Sequence, residues 1–289
     1  MMKKMLIMCA CFASILFAMP TFSQTTGQDG HIGVITKEEE PNHGDHTKKT
    51  QDKHGGHDGA QVGAMLMVRT EPADIKPGQP VKFHLIIHDA TGAMIKDFET
   101  VHEKKLHLII VRDGLDQFAH IHPEIDRAKN ITGTFTFPTA GKYRLYADHK
   151  PTGKKQATAI AEVNVAGTSP PSPQLVPNAP GRVKGDGLGA DIAMEKTNSE
   201  GTTRISFSLF DAAGNPIADL QPYLGAMGHL IVISGDGKHY VHSHHIEGKA
   251  PDGVVAFEVH FPHPGIYKGW GQFRRSGMVH DVPFVVKIE

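Results

Sequence analysis

The chain has 289 residues, 39% of them hydrophobic, with 31 Gly and 19 Pro, a composition that suits short strands, many turns and one to three domains. Its formal charge of −1 with histidine neutral excludes a global field that would favour nucleic acid. Histidine is the over-used residue, at 20, with 11 methionines beside it.

In chain order, residues 1–4 carry two lysines, the apolar run "MLIMCACFASILFAM" follows, and Thr21 and Ser23 stand at −3 and −1 of a signal-peptidase site. Residues 1–23 therefore read as a secretory signal peptide with cleavage near Ser23 and Gln24; an uncleaved anchor is the alternative. The expected location is periplasmic or secreted, with no transmembrane segment after signal removal. Cys9 and Cys11 are the only cysteines and both lie in that leader. The mature chain then has no thiol and no disulfide, which excludes cysteine nucleophiles, thiolate zinc sites and redox dithiols.

Residues 24–63 read as a disordered His-rich tail with almost nothing apolar to bury. His31 lies there, and His43 with His46 and His54 with His57 form two H-x-x-H pairs. A flexible segment can wrap such pairs around a soft or borderline cation, so weak, unselective metal capture is expected.

Strand-like runs begin near residue 64 and are broken every 8–12 residues by Gly, Pro, Asp or Asn: "PVKFHLIIHD", "KLHLIIVR", "FAHIH", "GTFTFP", "KYRLYAD", "TAIAEVNV". This spacing predicts a β-sandwich or barrel over 64–166. The Pro-rich "GTSPPSPQLVPNAPG" predicts an extended linker over 167–182. Strand-like runs resume over 183–289. "DATGAMIKDF" recurs as "DAAGNPIADL", and "FPTAGKY" as "FPHPGIY". The expected fold is thus all-β: two tandem immunoglobulin-like sandwiches made from one duplicated module.

The duplication carries three histidines. His107, His120 and His122 map onto His229, His242 and His244 at a constant offset of 122 residues. A two-residue turn at Asp113-Gly114 places His107 opposite His120. In the second module a Gly235-Asp236 turn places His229 opposite His242, whereas an Asp236-Gly237 turn places it opposite His244. Either register keeps all three on one face, since strand side chains alternate. Facing Cβ atoms stand about 4.5–5.5 Å apart, close enough for imidazoles to share an ion at about 2.0–2.1 Å. A three-histidine metal site is expected in each module. In the first register Met227 joins His229, His242 and His244, and its soft sulfur favours copper, with zinc or nickel the competing ions. The first module has Lys105 there and would borrow a ligand such as His102, His149 or Met94. Structural histidines held by hydrogen bonds are the plain alternative.

Three motifs fail. "HEKKLH" spaces its histidines by five rather than four and leads into a strand, unlike a zinc peptidase helix. "GLDQFAHIHPEID" opens like a cupin, but Asp126 stands where a Glu is usual and the fourth ligand is missing. "GDGLGAD" lacks a phosphate-binding context. Trp270, the only tryptophan, fits a sandwich core or a cation–π contact with its neighbouring arginines.

"EPADIKPGQPVKFHLIIHDATG", "KLHLIIVRDGLDQFAHIHPE" and "FPTAGKYRLYADHKP" resemble bacterial secreted YtkA-like modules, and "LGAMGHLIVISGDGKHYVHSH" with "FPHPGIYKGWGQF" resembles a related module, with His245 in place of the proline expected after His244. These modules are similar to the CopC and FixH type of periplasmic immunoglobulin-like sandwich. The resemblance implies a non-enzymatic envelope protein, often associated with copper or heavy-metal handling. The functional expectation is copper sequestration or delivery, with an envelope metal transporter or another envelope protein as partner. A metal-free interaction module and a cupin-like enzyme are the alternatives.

Overall fold

The computed structural model describes residues 64–179, 181–197, 202–246 and 253–289. The leader and the His-rich tail, with His31, His43, His46, His54 and His57, lie outside the described residues. Among those residues there are strands and no α-helix, and none is a helix long and apolar enough to cross a membrane.

The first module contains β1 (Met65–Glu71), β2 (Pro80–His88), β3 (Phe98–Glu99), β4 (Leu106–Arg112), β5 (Phe118–Ile121), β6 (Glu124–Ile125), β7 (Ile131–Thr136), β8 (Gly141–Pro151) and β9 (Ala157–Val165). They form two layers, β6-β7-β2-β1 and β9-β8-β4-β5 with β3 paired to the end of β8, joined on one side where β1 meets β9 in parallel at Met65 and Ile160. The second module contains β10 (Arg182–Lys184), β11 (Gly189–Lys196), β12 (Thr202–Phe210), β13 (His229–Ser234), β14 (Tyr240–His244), β15 (Val254–His260), β16 (Gly265–Arg275) and β17 (Met278–Ile288). Its layers are β10-β11-β12-β15 and β14-β13-β16-β17. The strand orders correspond, and the chain is two tandem immunoglobulin-like sandwiches.

Alternation explains each core. In β2, Val81, Phe83, Leu85 and Ile87 point inward and Lys82, His84, Ile86 and His88 outward, the period of a half-buried strand. In β12, Ile205, Phe207 and Leu209 do the same. The recurring Gly-x-Tyr is also structural. Tyr143 Oη donates to Thr139 O at 3.0 Å, and Tyr267 Oη donates to His263 O at 2.8 Å. Both are corner tyrosines that tie a strand to the turn before it.

The central strands β4 and β13 break the alternation: every residue of both is buried. Their inner faces fill the two sandwich cores. Their outer faces meet each other. Ile109, Val111, Leu115 and Tyr146 pack with Ile231, Ile233, Tyr240 and Trp270 in a third apolar cluster between the modules. Phe118 stacks on Trp270 at 4.5 Å and Tyr146 on Tyr240 at 5.3 Å. Tyr146 Oη donates to Gly237 O at 2.6 Å, and Arg144 Nη1 donates to Asp236 O at 2.9 Å. Trp270 therefore belongs to this junction rather than to a sandwich core, and Lys268, not an arginine, lies 5.9 Å from its ring.

The Pro-rich segment is held at both ends. Arg112 donates to Ser169 Oγ and Pro170 O, Leu175 packs on the junction, and Asn178 N donates to Val285 O.

Candidate metal centre

The two hairpins differ from the expected register. Ile109 pairs with His120 and Leu108 with Ile121, so His120 stands opposite Ile109 and not His107. The left-handed residue of the turn is Leu115 (φ 55), not Gly114. Leu115 is 1% exposed in the module junction, and that burial offsets the roughly 1–2 kcal/mol cost of a left-handed L-residue. In the second hairpin His229 pairs with His244 and Ile231 with His242, which is the Asp236-Gly237 alternative. Gly237 (φ 71) takes the position equivalent to Leu115.

This register moves Met227 out of the ladder. It sits half-buried in a bend before β13, and His229, not Met227, stands opposite His244. Lys105 is exposed. Of the other candidates, Met94 pairs with His88 on the far layer of its own module. His149 lies edge-on to Phe98 with its Nδ1 on Ala147 O. His102 is brought in.

The outer-face histidines of both modules meet in one cluster. Within the first module, ring centroids are 5.2 Å apart for His107 and His120, 5.0 Å for His107 and His122, and 4.7 Å for His120 and His122. Across the junction they are 5.2 Å for His107 and His242, 5.7 Å for His120 and His242, and 5.7 Å for His102 and His229. His229 and His242 are 5.7 Å apart. His244 is placed here only by its backbone pairing. His102 occupies a two-residue turn with Glu103, both left-handed at φ 50 and 63, the sort of backbone strain that gathers at functional sites. Asp126, the would-be cupin ligand, is elsewhere: its two oxygens accept from Asn130 N and Nδ2, each at 2.8 Å.

Hydrogen bonds around the cluster are paired by the repeat. His107 Nε2 donates to Val101 O at 3.0 Å, and His229 Nε2 donates to Tyr223 O at 2.8 Å. His120 Nδ1 meets Gln272 Oε1 at 2.6 Å, and His242 Nδ1 meets Asp148 Oδ2 at 2.8 Å. Asp148 and Gln272 stand at matching places on β8 and β16, so each module orients the other's histidine. Gln272 Nε2 donates to Asp281 Oδ1 at 2.8 Å, which turns the amide oxygen toward His120. Gln156 Nε2 donates to Asp148 Oδ1, also at 2.8 Å.

These acceptors fix tautomers. A carbonyl can only accept, so His107 carries its proton on Nε2 and its lone pair on Nδ1. Gln272 likewise leaves the lone pair of His120 on Nε2. Those two nitrogens, His107 Nδ1 and His120 Nε2, face each other at 3.0 Å. With both rings neutral, lone pair meets lone pair, and the contact becomes attractive only with a cation in it. A proton is disfavoured. Burial, against the opposing pull of Asp148, lowers the pKa of His107. Burial, then the charges of His107 and His122, pushes His120 well below the usual value. His122 falls to about 3, from burial and then His107, and its Nε2 is buried without a hydrogen-bond partner. His229 falls to about 4, also chiefly from burial. His242 is driven well below its ordinary value, by burial first and then His107 and His120, despite the Asp148 carboxylate.

His107, His120 and His122 offer ligand atoms all within 4.8 Å of one another. Two nitrogens bound at about 2.0–2.1 Å to one tetrahedral ion stand about 3.3 Å apart, so small rotamer shifts would close the set. In His107, His120, His229 and His242 one ring nitrogen rests on a carbonyl, amide or carboxylate, the outer shell expected of imidazole ligands. The repeat pointed to His107, His120, His122, His229 and His242, which the fold brings together, but no motif marks Asp148, Gln272 or Asp281.

The family described as "Domain of unknown function (DUF8832)" matches residues 60–167 and again residues 183–289. The chain belongs to this family, in two copies. That is the family shown, rather than the YtkA-like or CopC and FixH-type modules the sequence resembles. No curated protein matches the chain. Among solved structures it is similar to the Escherichia coli adhesin FdeC (17% identity, 78% of this chain, 64% of that one, TM-score 0.26). It is also similar to a tetra-tandem repeat in the extending region of a large adhesion protein (11% identity, 80% and 49%, TM-score 0.27). A third is a carbohydrate-binding module of the β-sandwich superfamily (11% identity, 78% and 98%, TM-score 0.23). The chain spans less than two thirds of either adhesin structure. At these scores the likenesses carry no argument about what this chain binds.

Proposed function

We propose that this chain binds one divalent first-row metal ion at a centre shared by its two modules, and acts in the envelope in sequestration or delivery rather than catalysis. The observation that carries the reading is the 3.0 Å contact of His107 Nδ1 with His120 Nε2, two nitrogens whose partners across each ring are both acceptors. His122 supplies a third nitrogen, and His242, 5.2 Å from His107 ring to ring, brings in the second module. Imidazole suits Cu(II), Zn(II) and Ni(II). With Met227 outside the ladder, Cu(I) loses its advantage here, and Cu(II) is the first choice. The signal-like leader favours a periplasmic or secreted location, and the resemblance to YtkA-like modules agrees in kind. An envelope metal transporter would be a fitting partner.

A metal-free module that contacts another envelope molecule is the second reading, favoured by the ring nitrogens of His107, His120, His229 and His242 that already meet protein partners. On that reading the histidines are structural. Metal analysis separates the two: untagged full-length protein with the five tail histidines changed to Asn is purified, dialysed against chelator and titrated with Cu(II) and Zn(II). Binding that resists a competing chelator supports the first reading. No uptake under any of these conditions leaves the metal-free module.

A further inference from the structure

A second cluster of metal-type ligands lies on the opposite layer of the first module. Met65, Met67 and Met94 are 61%, 51% and 49% exposed, a heavy outlay of apolar side chain to water. Met65 pairs with His88 across β1 and β2, and His88 pairs in turn with Met94. Directly paired residues share a face, with Cβ atoms about 4.5–5.5 Å apart, so the three form one row with the imidazole in the middle. Met67 is two residues along from Met65 on the same face. His88 Nδ1 is buried and has no hydrogen-bond partner.

The fold does not require this row. In the second module the same register positions are Gly189, Phe210 and Pro216, and Arg182 lies over the Phe210 ring. One sandwich therefore does without it, while its sister pairs His88 with two exposed methionines and sets a third two residues along the same face.

We propose that Met65, His88 and Met94, with Met67 beside them, form a binding site for a soft monovalent d10 cation, Cu(I) being the one probed. Thioether sulfur selects Cu(I) over Zn(II) and Cu(II), and one imidazole with two thioethers satisfies an ion that accepts low coordination. The site is independent of the histidine centre, which lies on the other layer and holds no thioether in its ladder.

The test uses the full-length chain with the five tail histidines changed to Asn and methionine methyls labelled with 13C, titrated anaerobically to saturation with Cu(I), and in parallel with Zn(II). The methyls of Met65 and Met94 are expected to shift with Cu(I) and not with Zn(II), while that of Met194, which pairs with Ile205, stays in place. Leu substitution at two exposed sites keeps volume and fold. The Met65→Leu/Met94→Leu variant should lose at least about tenfold in Cu(I) affinity against a Cu(I) chelator, with Zn(II) uptake unchanged. Unmoved methyls at saturation, or a double variant that keeps its Cu(I) affinity, would overturn the site and mark the face as an apolar contact surface. Neither result touches the histidine centre, which the Zn(II) arm reads separately.

Discussion

Asp148 is a carboxylate that is 2% exposed and takes hydrogen bonds from His242 and Gln156, with Tyr240 Oη at 3.4 Å. An isolated buried charge would be costly, and these donors compensate it. Asp148→Asn keeps the shape but removes one acceptor and adds a donor, so a donor in this group loses its partner. The expected loss is about 1–3 kcal/mol of stability and about 10–100-fold in metal affinity, read by denaturant unfolding and metal competition. Unchanged affinity in a folded variant would mean that Asp148 does not orient a ligand. The histidines also set a pH dependence. The unfolded chain takes up protons as pH falls through about 6.5, whereas folded His229 does so only near 4. Metal-free stability is therefore whole above 6.5 and drains away between 6.5 and about 4, on the order of 3 kcal/mol from His229 alone. Denaturant midpoints of chelated protein at pH 7.5, 6 and 5 should fall in that order; a flat profile would contradict the burial of neutral rings. For the same reason bound metal should survive acidification past 6.5 and be released nearer 4. The histidines themselves were legible because the repeat kept their spacing. Their orienting partners come from β8, β16 and β17, where alternation says which face a side chain takes but not which ring it meets.

The hairpins show where reading of the elements ran out. Asp113-Gly114 has the composition of a two-residue turn, yet the chain closes a four-residue loop there, with Arg112 N donating to Gln117 O and Leu115 N to Arg112 O. The second loop closes likewise, Ser234 N to His239 O and Gly237 N to Ser234 O. Local turn preference, worth about 1 kcal/mol, yields to the burial of Leu115, worth about 1.5–3 kcal/mol. The two magnitudes are tested together by Leu115→Gly, which relieves the left-handed backbone but removes a buried side chain from the apolar cluster at the junction. Net destabilisation of about 1 kcal/mol or more is expected. A gain in the midpoint of unfolding would show that backbone strain outweighs packing. Elsewhere the elements were plain from sequence: alternation marks β2 and β12, and the Gly-x-Tyr corners mark β8 and β16.

At the scale of the molecule, two sandwiches in tandem follow from the repeat, but their face-to-face packing does not follow from alternation. A signal was present. "LHLIIVR" and "HLIVIS" are continuous apolar runs, the pattern of strands covered on both faces, and an isolated antiparallel sandwich would leave one face polar. That second covering is the partner module. Removing its largest side chain should separate the halves: Trp270→Ala is expected to cost about 3–5 kcal/mol and to turn one calorimetric transition into two. A single shifted transition would mean that the modules stay coupled without the Phe118–Trp270 stack.

Centrally, His107, His120 and His122 of the first module and His242 of the second make one shared site. Calorimetric titration of Zn(II) or Cu(II) into the tail-silenced full-length protein tests it most directly, with His120→Ala and His242→Ala measured alongside and their folding checked by the fluorescence of the lone tryptophan. One equivalent is predicted for the parent, weakened at least about tenfold by either substitution, because each module supplies part of the same site. Two equivalents, each abolished only by the substitution in its own module, or no binding at all, would contradict it.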